Sequence, residues 1–241
     1  MKKILFTVFL VLAVAVLLTA DVYIKTNVHT DAFAMMGQNQ PAKDEIMEQW
    51  FGNNQLANIT RDKIMIMDMN KNVMLIVNPK EKSYVETTLP LDMSKLVPKE
   101  AAPMLSMMKV TVKVTPNGQT KKINQWNCNG YDVDMNMMMM QMKMKAWATT
   151  EVSFDWKAFA KMYANISKMQ FMDDASIAEL MKINGYQVAS EMSMNVMGAN
   201  MKVTSQVVEI AQKTAPAGIY SVPAGFTKKD SLSMQDLRGG K

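Results

Sequence analysis

The sequence predicts a mainly β (α+β) fold: one antiparallel sheet with two or three helices packed on one face. Three observations predict it. Short runs rich in β-branched and aromatic residues are joined by Asn-, Gly- and Pro-containing turns along most of the chain. Helical spacing of apolar residues occurs in the middle and late parts and does not alternate with the strands. No linker divides the chain, so a single domain over residues 21–227 is expected.

The first twenty residues stand apart from this pattern. Lys2 and Lys3 open the chain, Ile4 to Leu18 is an almost unbroken apolar run, and Thr19-Ala20 closes it with a small residue before Asp21. That is the layout of a secretory signal peptide cleaved near Ala20. The run is shorter than the roughly 20 residues that span a bilayer. No cysteine stands near the cleavage point to carry a lipid anchor. An exported, periplasmic chain without stable membrane insertion is therefore expected.

Beyond the leader, Asp21 to Thr30 reads as a strand. "MEQWFGNNQLANITR" gives a strand, a turn at Gly52-Asn53-Asn54 and the start of another strand. Ile64 to Asp68, Val73 to Val77 and Ser83 to Thr87 form a meander, broken by turns at Asn70-Lys71-Asn72 and Asn78-Pro79-Lys80-Glu81. Pro98 and Pro103 forbid one long helix in the next stretch, which predicts short helical pieces. Strands resume at Lys109 to Thr115, with a turn at Pro116-Asn117-Gly118, then Lys122 to Trp126 and Gly130 to Met137. Asp155 caps a helix running to about Phe171, and Ser176-x-x-Glu179 reads as the capping box of a second, short one. Asp173-Asp174 supplies acid at a helix start, and Asn184-Gly185 ends the second helix. A closing hairpin, Tyr186 to Val196 and Met201 to Ile210, precedes an extended Pro/Gly segment and a polar tail over 228–241. The sum is roughly ten strands.

Charge and residue usage narrow the function. Losing Lys2 and Lys3 with the leader lowers the formal net charge from +5 to +3. Arg61 and Arg238 are the only arginines, so the guanidinium forks favoured for phosphate and base recognition are scarce and no nucleic-acid partner is expected. Cys128 is the single cysteine, which excludes an internal disulfide and is best kept buried. His29 is the single histidine, which excludes three-histidine zinc sites and HExxH. Asp132-x-Asp134-x-Asn136 opens like a calcium loop, but Met137 and Lys143 stand where Gly and Glu are needed. No Gly-x-Ser-x-Gly and no phosphate-cradling Gly-Lys loop occurs. No enzyme activity, catalytic residue or cofactor is expected.

Methionine is the commonest residue, 28 in all, and it is densest in "DMNMMMMQMKMK", Asp134 to Lys145. Tyr131, Val133, Met135 and Met137 share one phase of a strand; Met138, Met140, Met142 and Met144 share the other. A period-two strand cannot change phase without a turn or a bulge, here placed between Met137 and Gln141. Same-phase thioethers lie about 6.6 Å apart along a strand. They could serve as soft ligands for Cu(I), using Met138, Met140 and Met142. Unbranched, polarizable methionines equally make a pliable apolar wall.

Several stretches, in order, carry a family resemblance: "VHTDAF", "WFGNNQLA", "PKEKSYVETTLP", "INQWNCNGYDV", "KAWATTEVSFDW" and "APAGIYSVPAGFTKKD". Together they resemble an uncharacterised exported bacterial family, domain of unknown function 4412, itself similar to periplasmic lipoprotein carriers of the LolA/LolB type. The resemblance implies a curved antiparallel sheet forming a half-open barrel, its concave face plugged by helices around an apolar cavity. It implies no catalytic motif, and the carriers' functional arginine has no counterpart here.

The function expected is therefore a monomeric periplasmic binding or carrier protein for an apolar small molecule, lipid or lipidated protein. Its expected cavity lining is Met65, Met67, Met138, Met140, Met142, Met144, Trp156, Phe159 and Tyr163. The alternatives are a Cu(I)-binding protein and an interaction domain without ligand.

Overall fold

The computed structural model describes residues 20–35, 38–89, 110–137, 140–168, 172–196 and 199–232. The strands are β1 (Asp21–Thr30), β2 (Phe33–Met35), β3 (Gln38–Gln40), β4 (Lys43–Gly52), β5 (Gln55–Ile59), β6 (Ile64–Asp68), β7 (Val73–Asn78), β8 (Ser83–Thr88), β9 (Val110–Ile123), β10 (Trp126–Met137), β11 (Met140–Thr149), β12 (Tyr186–Val196), β13 (Ala199–Lys213) and β14 (Thr227–Lys229). Among the described residues the helices are α1 (Trp156–Lys168) and α2 (Asp174–Leu180). Twelve strands form one sheet in the order β14-β8-β7-β6-β5-β4-β1-β13-β12-β11-β10-β9, and β2 pairs with β3 alone. The sheet is mainly β with helices as expected, and it is open: β14 and β9 are its two edges. All its pairings are antiparallel except β14 against β8. The leader to residue 19, the proline-interrupted stretch 90–109 and Met138 lie outside the described residues.

The hairpins follow from their turn residues. Gly52 pairs with Gln55, and Asn53 and Asn54 between them have φ of 50° and 61°. A two-residue turn with both φ positive matches the right-handed strand twist, and asparagine tolerates that backbone best after glycine. The Asp68 carboxylate accepts hydrogen bonds from the backbone N–H groups of Asn70 and Lys71, closing the β6–β7 turn. Met137 pairs with Met140, so the phase change in the methionine run is the β10–β11 hairpin.

Three local expectations are corrected. Pro116-Asn117-Gly118 does not end a strand. β9 runs through it, with a register shift opposite Asn129 and Tyr131 that absorbs the extra residues. Gly118 supplies the positive φ of 71° at this bulge, and the Asn117 side chain accepts from Gln119 N–H and donates to Asp132. The turn falls instead at Asn124, with φ of 52°. α2 is capped not by Ser176 but by Asp173, whose carboxylate accepts from the Ser176 N–H at 2.9 Å. It ends at Leu180, before Asn184-Gly185. Gly185 serves the entry to β12, where its φ is 121° and a Cβ would lie 2.4 Å from the Thr149 carbonyl oxygen. Order also continues into the expected tail. Thr227–Lys229 pair in parallel with Ser83–Val85, and Leu232 is buried against Val85.

Ser176 and Glu179, freed from capping, seal a sheet edge. Ser176 Oγ accepts from Val112 N–H at 3.3 Å and donates to Val110 O at 3.2 Å; Glu179 accepts from Val114 N–H at 2.9 Å. Val110 also bridges to Met172. These contacts occupy β9 backbone groups that would otherwise template another chain. Ser176→Ala strips two buried backbone groups of their partner and is expected to cost about 1–3 kcal/mol in urea unfolding. A loss under about 0.5 kcal/mol would contradict the sealing role.

Candidate ligand-binding face and cavity

Directly paired residues of adjacent strands share a face, so the register assigns every strand side chain to a side. One rank runs Val112–Met135–Met142–Met194–Met201 across β9 to β13. The next runs Val114–Val133–Met144–Met192–Val203. A third, Tyr131–Ala146–Ser190–Ser205–Val28, links this half to β1. From β1 the same face continues through Thr26–Met47, Ile24–Gln49–Asn58–Met65–Ile76 and Val22–Phe51–Leu56–Met67–Met74.

Every methionine in the described strands of this sheet lies on that one face: Met47, Met65, Met67, Met74, Met135, Met137, Met140, Met142, Met144, Met192, Met194 and Met201. Among the described strand residues the opposite face holds none. Around the methionine ranks it carries Gln141, Lys143, Ser193, Asn195 and Lys202, all exposed. Its other half buries Tyr23, Trp50, Ala57, Ile66 and Val77 beneath the Pro/Gly segment, including Ile219, Tyr220, Val222 and Phe226.

Both helices sit on the methionine face. Asp155 accepts from the N–H groups of Lys157 and Ala158 and so starts α1, directing Phe159 and Tyr163 at the sheet. Phe159 lies 4.6 Å from Phe51, 5.2 Å from Tyr186, 5.9 Å from Phe154 and 4.5 Å from Tyr163, ring centre to ring centre. Met162 and Tyr163 pack on Leu56, Met67 and Met74, and Leu180 and Ile183 pack on Tyr131, Val133 and Ala146.

A cavity of about 290 Å³ lies among α1, the end of α2 and the sheet centre. It is lined by Thr26, Met47, Gln49, Trp156, Phe159, Ala160, Tyr163, Leu180, Met181, Ile183, Gly185, Tyr186, Gln187, Val188, Ser205 and Val207, with no charged residue among them. Ser205 ties it to the methionine ranks, because Val203 and Met201 follow on the same face of β13. The Ser190 and Ser205 hydroxyls lie 2.7 Å apart and satisfy each other along this path. Gln49, buried in the cavity wall, donates to Tyr163 Oη at 2.8 Å and pins α1 to β4. Burial raises the pKa of Tyr163 and of Tyr186, keeping both phenols protonated.

A family model described as a domain of unknown function, DUF4412, matches residues 26–226. The chain belongs to that family. No curated protein matches it. The DUF4412 match starts within β1 and ends at Phe226, so it takes in the methionine face, both helices and the segment covering the opposite face.

Of the residues named from the sequence, Trp156, Phe159 and Tyr163 line the cavity of this DUF4412 domain. Met67 is buried under α1 with Met65 beside it. Met140, Met142 and Met144 are half-buried on the same face nearer the β9 edge. Met135, Met137, Met192, Met194, Met201, Met47, Gln49 and Tyr186 are not part of the lining expected from the sequence. A signal for the methionines existed: a hairpin at the phase change puts Met135 opposite Met142. Gln49 carries no such signal.

A larger groove, about 1220 Å³, lies chiefly on the opposite side of the sheet, beside His29, Glu48, Arg61, Lys121, Trp147 and Glu191. It mixes both charge signs and converges on no one group; the smaller uncharged cavity is the better site for an apolar ligand. Cys128 is buried, its thiol directed at the Trp126 carbonyl, and burial pushes its pKa up. Among the described residues no group of three His, Cys, Asp or Glu side chains could hold a metal ion, and no helix is long and apolar enough to cross a membrane.

At the groove rim, His29 Nδ1 lies 2.7 Å from Asp44 and Nε2 lies 3.2 Å from Asp31. The hydrogen bond to Asp44 is the main cause raising its pKa above the ordinary imidazole value. A raised folded-state pKa adds stability that is fully present below the unfolded value and is lost as pH rises through the folded one. His29→Gln should therefore lower the urea midpoint at about pH 5.5 and match the parent at about pH 8.5. An equal difference at both pH values would contradict this assignment.

Proposed function

We propose that this protein is a non-enzymatic exported binding or carrier protein for an apolar ligand, a lipid or acyl chain. The observation that carries the reading is the confinement of the strand methionines to the face that also holds the helices and the uncharged cavity. Compositional drift toward methionine has no reason to respect strand phase. A surface that must fit chains of differing length does, because thioether side chains are unbranched and repack at little cost.

In this reading the chain enters the cavity at Trp156, Phe159 and Tyr163 and extends along Met144, Met142 and Met140. Each CH₂ taken from water is worth about 0.8 kcal/mol, so a long chain binds without a charged contact. The curved half-open barrel of the lipoprotein carriers is the shape that suits this use, and the apolar run after Lys3 supports export to the periplasm. Soft-metal coordination competes for the same thioethers. Their spread from Met74 on β7 to Met135 on β10 favours a surface over a single coordination point.

The test is binding of N-phenyl-1-naphthylamine, read by its fluorescence, to the mature protein and to a Met140→Asp/Met142→Asp variant. Two carboxylates on this half-buried face should weaken binding at least tenfold while far-UV circular dichroism stays unchanged. Undiminished binding by the folded variant would sink the methionine face as ligand surface.

A further inference from the structure

The cavity wall is uncharged, but it holds one fixed polar cluster. Gln49 Nε2 donates to Asn58 Oδ1 at 2.7 Å and to Tyr163 Oη at 2.8 Å, which uses both amide hydrogens. Gln49 Oε1 accepts from Tyr186 Oη at 3.2 Å. The two tyrosines therefore end in different states. Tyr186 gives its proton to Gln49. Tyr163 oxygen accepts, and among the described residues nothing accepts its own proton. A buried hydroxyl donor left unpaired is costly, so an acceptor from a ligand is the natural complement.

The lining also limits what that acceptor can be. With no Lys, Arg, Asp or Glu on the cavity wall, a phosphate, carboxylate or ammonium head would lose its hydration without gaining a counter-charge. A neutral carbonyl oxygen needs only one donor.

We propose that the cavity recognises a neutral acyl ester, whose carbonyl oxygen accepts the Tyr163 hydroxyl proton while its alkyl chain lies on the methionine face. This rests on the apolar-ligand reading above and names its ligand class. Gln49 is then a positioning residue: by filling the acceptor side of the Tyr163 oxygen, it turns that phenol into a donor aimed at the ligand.

The experiment displaces N-phenyl-1-naphthylamine with methyl decanoate or with 1-chlorodecane, a chain of similar length without a useful acceptor, each corrected for its water–hexadecane partition. Parent protein and Tyr163→Phe are compared. The parent should bind the ester about five- to tenfold more tightly than the chloride. In Tyr163→Phe that preference should vanish, the ratio of ester to chloride affinity falling to about one. Equal affinities for ester and chloride in the parent would overturn the proposal even if the variant failed to fold, and so would an ester preference that survives in Tyr163→Phe. Failure of the parent to bind the fluorophore at all would instead overturn the apolar-cavity reading beneath it.

Discussion

A strand side chain has two directions open to it, and hydrogen-bonded register forces its neighbours to take the same one. That constraint organises this molecule. Because Met135 pairs with Met142, Met142 with Met194 and Met194 with Met201, a residue preference scattered through the sequence becomes one continuous surface. The same register sends Lys143, Ser193 and Lys202 to the opposite side. A one-residue slip in any of these pairings would put thioethers into water and lysines against the helices, so the burial pattern itself fixes the register.

The helices depend on that surface and on few polar ties. α1 is held by aromatic contacts around Phe159 and by Gln49, and α2 by Ser176 and Glu179 on the edge backbone of β9. Each tie does two jobs. Ser176 and Glu179 cover a sheet edge while placing Leu180 and Ile183 at one side of the cavity. Gln49 anchors a helix while setting the hydrogen-bond direction of Tyr163. The opposite face is covered differently: Tyr220 hydrogen-bonds Asp21, and its segment packs on Tyr23 and Trp50. One face is thus closed by an extended segment and the other carries two short helices with space between them.

Much of this was legible in the sequence, for local reasons. Turns at Gly52-Asn53-Asn54 and Asn70-Lys71-Asn72, the cap at Asp155 and the phase change after Met137 all depend on residues within a few positions of one another. The misreadings involve partners far apart. Pro116-Asn117-Gly118 looks like a turn until β10 passes beside it and accommodates a bulge. Ser176 and Glu179 have the spacing of a capping box, yet a backbone more than sixty residues away claims their side chains. Gln49 reads as one polar residue in a strand. Its role exists only because Tyr163 and Tyr186 arrive from distances of 114 and 137 residues.

The central claim is that the methionine face and its cavity hold an apolar ligand. Native mass spectrometry of the protein, purified from its own cells without detergent, tests this most directly. The account predicts an added mass of several hundred daltons that organic solvent releases. An addition equal to one copper ion and removed by a Cu(I) chelator, or a bare chain that also takes up no acyl ester when one is supplied, would contradict it.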